Sequence, residues 1–214
     1  MRLFVAVLPP AAARDELEAA AAPLRPARPD LRWTSHDVWH ITLAFLGEVE
    51  DVATGRLMPR LERAARRHAS LRLSFAGGAA FPGAARARVL WTGLRGDHRA
   101  LAGLAASVAA AARRAGAPPP DEGRRFQPHL TLARCRAPAD VRPLVAALTG
   151  FVGTPWTVSL IHLIRSHPGP RPTYEALASW PLGLPETAAD DMESLSSDAP
   201  ASECRRSADG RGQR

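Results

Sequence analysis

Two stretches of the chain pair an imidazole with a hydroxyl at the same spacing: Trp39-His40-Ile41-Thr42-Leu43-Ala44-Phe45-Leu46-Gly47 and, 89 residues on, Pro128-His129-Leu130-Thr131-Leu132-Ala133-Arg134. An imidazole titrates near neutrality, so one histidine can take a proton while a second gives one. A threonine hydroxyl can donate to an oxygen that gains negative charge as the reaction proceeds. The spacing suits strands, because side chains at i and i+2 point to the same ligand about 6.5–7 Å apart, whereas i+1 points away. Strict alternation places His40, Thr42 and Ala44 on one face, and His129, Thr131 and Ala133 on another. Ile41, Leu43, Phe45, Leu130 and Leu132 then point to a core. With seven histidines and ten threonines in 214 residues, one His-x-Thr is weak evidence. Two copies, each followed by leucine, arise by chance about once in a thousand sequences.

The elements that must carry these stretches follow from apolar period and turn residues. Residues 2–8 read as a buried first strand, and Pro9-Pro10 opens a helix of about 11–22. Leu57, Leu61, Ala64 and His68 recur at helical spacing through 50–69, where Pro59 marks a kink or a later start. Leu71 to Phe75 alternates as a strand, Gly77-Gly78 and Pro82-Gly83 turn the chain, and Arg88 to Leu94 returns, completing a first half. A helix from Asp97 to about Ala115, a break at the proline run from Pro118, and the second His-x-Thr strand open the other half. A helix of about 139–149 introduced by Pro138, a strand of about 155–165 and a last strand of about 172–180 complete it. Two mixed α+β lobes with antiparallel sheets account for this order, with the two His-x-Thr strands side by side across a cleft. From Pro185 the apolar periodicity ends, and 185–214 reads as a disordered tail appended to a domain of residues 1–184.

Composition narrows the partners. With 46% hydrophobic residues, the chain can bury a real core, and no apolar stretch approaches the roughly 20 residues of a membrane span. All 28 basic residues are arginine, a pattern that coding bias explains as well as function does. Their distribution says more. Residues 1–184 hold 24 arginines against 14 acids, a net of +10, while 185–214 hold 4 against 7, a net of −3. A basic body beside an acidic tail suits a polyanionic ligand. The two cysteines, Cys135 and Cys204, give neither a disulfide framework nor a thiolate metal site, and a cytoplasmic, monomeric protein is expected.

The two tetrads, the first running into Phe45-Leu46-Gly47 and the second preceded by Phe126-x-Pro128, resemble the two-histidine (2H) phosphoesterase superfamily. Within it the resemblance is to the bacterial RNA 2′,3′-cyclic phosphodiesterase family, also called LigT-like or 2′-5′ RNA ligase. Arg2-Leu3-Phe4-Val5-Ala6, Arg88-Val89-Leu90-Trp91, Tyr174 and Trp180-Pro181-Leu182 extend it over about residues 1–184. The resemblance implies two pseudo-symmetric lobes flanked by helices, no metal and no cofactor. The substrate it implies is RNA, or an oligonucleotide, with a 2′,3′-cyclic phosphate end. It implies His40 as the acid that protonates the departing 3′ oxygen and His129 as the base that activates water, leaving a 2′-phosphate; chemistry alone leaves that order open. Microscopic reversibility also allows 2′-5′ joining of a cyclic end to a 5′-hydroxyl. A smaller cyclic phosphate such as ADP-ribose 1″,2″-cyclic phosphate, or RNA binding without turnover, are the rival readings.

Thr42 and Thr131 are the expected donors to the nonbridging phosphate oxygens. Arg134 matches the arginine that contacts phosphate in the family, yet strict alternation turns it away from His129, so the strand must twist or end before it. Phe4 is placed either to stack on a base or in the core. His36, His68 and His98 read as solvated, His162 as buried or in the cleft, and His167 as part of a Pro-Gly turn. His36 and His40 have a zinc-like spacing, but no third ligand is near in sequence.

Overall fold

Leu3, Val5 and Val7 on one side of the first strand and Phe4 and Ala6 on the other are all nearly inaccessible to solvent, which only an interior strand achieves. The computed structural model describes residues 1–120, 125–169 and 172–183. Within them the order is β1 (Arg2–Val7), α1 (Ala11–Ala21), β2 (Arg32–Trp33), β3 (Ile41–Glu48), α2 (Asp51–Ala65), β4 (Leu71–Phe81), β5 (Ala87–Gly96), α3 (His98–Ala115), β6 (Leu130–Ala139), α4 (Arg142–Leu148), β7 (Trp156–Val158), β8 (Leu160–His167) and β9 (Thr173–Pro181). The expected tail, 185–214, lies outside the described residues.

The strands form one nine-stranded sheet in the order β7-β4-β5-β6-β3-β1-β8-β9, with β2 lying beside β6. Every pairing between these strands is antiparallel. Two four-stranded halves, β7-β4-β5-β6 and β3-β1-β8-β9, meet at a single residue pairing, Ile41 with Leu130. The two His-x-Thr strands are therefore the two inner strands. Leu3, Val5 and Val7 join Leu17, Leu57, Leu61, Leu101, Leu104 and Leu144 in one core under the helices. Phe4, Ala6 and Ile164 form a small separate cluster on the opposite, uncovered face.

The halves of the sheet are not the halves of the chain. The expectation that residues up to about 94 complete one lobe is corrected by the pairing: β4 and β5 join β6, and β8 and β9 join β1 and β3. The single strand expected at 155–165 is two, interrupted at Ser159; β7 pairs with β4 at one end of the sheet and β8 with β1 in the other half. Gly77-Gly78 does not turn the chain but lies inside β4, as a bulge with Gly77 at φ 64°. Pro138 belongs to β6, and α4 begins at Arg142 with Pro143 in its first turn. Helix α2 runs through Pro59 without a break, and both Pro59 and Gly55 four residues earlier are solvent-exposed, so water can satisfy the carbonyl that Pro59 cannot engage.

Gly96 ends β5 at φ 108°, where an added Cβ would lie 2.1 Å from the Arg72 carbonyl oxygen. A Gly96→Ala variant is expected to lose at least about 2 kcal/mol of stability, since neither the backbone angle nor the clash can relax cheaply. Urea unfolding checks this, and an unchanged midpoint would contradict the close approach.

Candidate active site

Each motif histidine sits immediately before its strand, and its own backbone fixes the ring. His40 Nδ1 donates to the Val38 carbonyl at 2.9 Å, and His129 Nδ1 donates to the Gln127 carbonyl at 2.7 Å, both two residues back. With Nδ1–H committed, Nε2 is the atom left for proton transfer in each ring. The Ile41–Leu130 pairing, one residue after each histidine, brings His40, Thr42, His129 and Thr131 to the same cleft. The two histidines face one opening, each with a threonine two residues on. That is an opening a phosphate can fill, with a proton carrier on either side.

A register shift after each threonine completes the arrangement. Thr131 lies across from Trp91 and Ala133 from Leu90, so Leu132 is an extra residue in β6; Thr42 lies across from Ala6 and Ala44 from Val5, so Leu43 is an extra residue in β3. The side-chain parity flips at each bulge. Ala44 and Ala133, expected on the cleft face, are instead buried at 7% and 0% exposure. Phe45 and Arg134, each five residues beyond its histidine, rejoin the histidine and threonine and line the cleft. Phe45 is thus corrected from core to cleft, and the bulge is what brings Arg134 to the His129 face.

The resulting cleft, of about 420 Å³, is lined by His40, His129, Thr42, Thr131, Arg134 and Phe4 among others. Arg2 and Arg32 add two more cations, and among the described lining residues there is no carboxylate. Arg32 lies across from Arg134 where β2 meets β6. Arg2 stands over the Phe45 ring, 5.2 Å from its centroid. The end of β8 and the residues after it supply a rim through Ser166, Pro168 and Gly169. Neither motif threonine spends its hydroxyl on another described residue, whereas Thr54, Thr92 and Thr149 give theirs to backbone carbonyls. Thr34, Ser166 and Tyr174 line the cleft as well, so the motif threonines are the hydroxyls that stand beside the histidines rather than the only free ones among the described residues.

Each imidazole is boxed by two aromatic rings from other strands of its own half of the sheet. Phe4 lies 4.7 Å and Tyr174 5.2 Å from the His40 ring; Phe81 lies 5.0 Å and Trp91 5.7 Å from that of His129. This cage was not legible as a site, because its members come from β1, β9, β4 and β5 with no common spacing. Phe4, at 3% exposure, has its ring against His40 and little face left for a base. Burial in these cages pushes both imidazoles below their ordinary pKa, and the Arg134 cation pushes the same way, against the backbone hydrogen bonds. Both rings are therefore neutral in the free cleft near pH 7, and an entering phosphate anion favours returning a proton to one of them. Shortening the cage with Phe4→Leu exposes His40, so its titration, followed by the ring proton resonance, is expected to move upward toward 6.5, the ordinary histidine value. A downward or absent shift would contradict burial as the cause.

The other histidines stand apart. His36 Nε2 pairs with Asp15 at 2.9 Å, His68 bonds Ser107 at 2.8 Å, and His162 Nδ1 bonds Ser179 at 2.7 Å. His167 pairs with Glu175 across the β8–β9 hairpin. No group of three or more metal-binding side chains is gathered among the described residues.

Comparison with known proteins agrees with the geometry. Residues 8–170 match the model of the 2′-5′ RNA ligase superfamily. An RNA 2′,3′-cyclic phosphodiesterase of Thermus thermophilus is 32% identical over 185 residues, covering 85% of this chain and 90% of that one. The Escherichia coli protein of the same name is 31% identical over 184 residues, covering 85% and 96%. Among solved structures, a Thermus thermophilus protein superposes with a TM-score of 0.73 at 30% identity, covering 86% of this chain and 99% of that one. Escherichia coli LigT complexed with 3′-AMP gives 0.66 at 28%, covering 85% and 97%. The fold is thus shared with these solved structures, and the chain belongs to the 2′-5′ RNA ligase superfamily.

Proposed function

We propose that this protein is a metal-independent phosphodiesterase that opens 2′,3′-cyclic phosphate ends of RNA to 2′-phosphates. The observation that carries the reading is the convergence of two imidazoles on one cleft, each with Nδ1 tied to a carbonyl, beside two uncommitted threonine hydroxyls. In-line attack on a cyclic phosphate needs one proton taken from water and one given to the departing ribose oxygen. Two imidazoles fill both roles, and the chemistry then calls for no metal. His129 takes the proton from water and His40 gives one to the 3′ oxygen. Thr42 and Thr131 donate to the nonbridging oxygens, and Arg134 balances their charge. Phe4 acts through His40 by holding its ring and excluding water. The relatives named RNA 2′,3′-cyclic phosphodiesterase and the excess of arginine around the cleft favour an RNA end as substrate. Run in reverse with a 5′-hydroxyl in place of water, the same groups form a 2′-5′ linkage.

The activity is assigned to the domain of residues 1–184. Both inner strands come from one chain, so the cleft is complete in a monomer. No helix among the described residues is long and apolar enough to cross a membrane, and we place the protein with RNA in the cytoplasm. Comparison of kcat/KM for an RNA cyclic end and for ADP-ribose 1″,2″-cyclic phosphate tests the assignment. At least a tenfold preference for the RNA end is expected; the opposite preference would reassign the substrate, and binding without turnover of either would remove the enzyme.

A further inference from the structure

A second groove, of about 640 Å³, opens beside His129 and is used by nothing in the mechanism above. Its walls are Trp91 and Gly93 of β5, His98, Arg99 and Ala102 in the first turns of α3, and the segment from Arg125 to Pro128. Two of these residues contact the catalytic His129. Gln127 holds the His129 ring through its carbonyl, and Trp91 packs 5.7 Å from that ring. The groove therefore lies next to the cleft, across the wall formed by Trp91 and the His129 ring, and has no lining residue in common with it.

Its chemistry is that of a polyanion track with an aromatic step. Arg99 and Arg125 are exposed, and neither is engaged by an acid among the described residues. No carboxylate is among the described lining residues. Phe126 is half-buried, with ring surface remaining, and Trp91, at 9% exposure, has an indole N–H with no acceptor. Spaced cations with an interleaved aromatic ring match a single-stranded nucleic acid, whose phosphates follow the cations while bases stack. The volume lies within the roughly 300–1,000 Å³ common to ligand sites.

We infer that this groove binds the nucleotides immediately upstream of the cyclic end, with Arg99 and Arg125 on their phosphates and Phe126 under a base. The inference rests on the RNA-end reading and extends it: the substrate is an oligonucleotide, selected by length as well as by its terminus. A mononucleoside cyclic phosphate reaches only the main cleft, whereas a chain of three or more nucleotides also fills the groove.

The test uses the full chain and an Arg99→Gln/Arg125→Gln variant with cyclic-phosphate substrates of one, two, four and six nucleotides. In parallel, affinity is measured for uncleavable 2′-phosphate-ended products of the same lengths. For the wild type, kcat/KM and affinity are expected to rise at least tenfold from one to four nucleotides. The variant is expected to lose that rise while retaining wild-type turnover of the mononucleotide. Its salt dependence on the longer chains falls by about 0.7 logarithmic unit per lost phosphate contact. Length-independent wild-type behaviour, an unchanged gain in the variant, or equal loss on the mononucleotide would overturn the groove assignment. Absence of turnover with every substrate, together with length-dependent affinity that the variant loses, would overturn the catalytic reading and leave the groove standing.

Discussion

Replacing either His40 or His129 by alanine is expected to lower kcat for cyclic-phosphate opening by about 10²–10⁴-fold, the range set by loss of one positioned acid or base. Each ring reaches the cleft with Nε2 as its one uncommitted nitrogen, so no neighbouring group can substitute. The double variant should be little slower than the worse single, because the two groups serve one transition state and removing either disables the pair. Both rings stand at the cleft wall rather than within the main apolar core, so both variants are expected to fold. Wild-type kcat/KM is expected to peak on the acid side of 6.5, because both imidazoles titrate below that ordinary value in the free cleft. Above that point the acid loses its proton and the rate falls. The profile of kcat should extend to higher pH, since bound phosphate stabilises the imidazolium. Coincident profiles, or variants with near-normal turnover, would show that the imidazoles are not the proton carriers.

The second large effect is expected at the threonines. Thr42→Val and Thr131→Val keep shape and strand preference but remove the donor, and each should lower kcat by about 10²-fold or more while KM changes little. The reasoning is that charge on the nonbridging oxygens grows toward the transition state, so a hydroxyl aimed there contributes most at that point. Serine at the same positions should restore most of the rate. Steady-state kinetics on all four variants distinguish this from simple binding. A rise in KM at constant kcat would place the hydroxyls in ground-state recognition instead.

The site was legible to the extent that a strand's period of two made it so. His40 with Thr42 and His129 with Thr131 needed only i and i+2, and the duplication raised each from a weak motif to a pair. What lay beyond the threonines could not be read that way. The extra residues Leu43 and Leu132 are ordinary apolar strand residues, and no local composition marks them as bulges, yet each flips the parity that places Phe45 and Arg134 in the cleft. The signal that pointed to it was Arg134, whose resemblance to a phosphate-contacting arginine conflicts with strict alternation and so requires a twist or break before it; Phe45 carried no such signal. The interleaving of the lobes was hidden for a related reason. The break at Ser159 separates two strands that join opposite halves of the sheet, and a one-residue interruption carries little sequence signal. Phe81 and Trp91 became visible as the His129 cage only once β4 and β5 were paired beside β6.

The most direct test of the central claim is the identity of the terminal phosphate formed from a short RNA with a 2′,3′-cyclic end, in the presence of EDTA, by the wild type and by the His40→Ala and His129→Ala variants. A 2′-phosphate formed by the wild type and by neither variant is the predicted result. A 3′-phosphate product, or turnover that survives loss of either histidine, would contradict it.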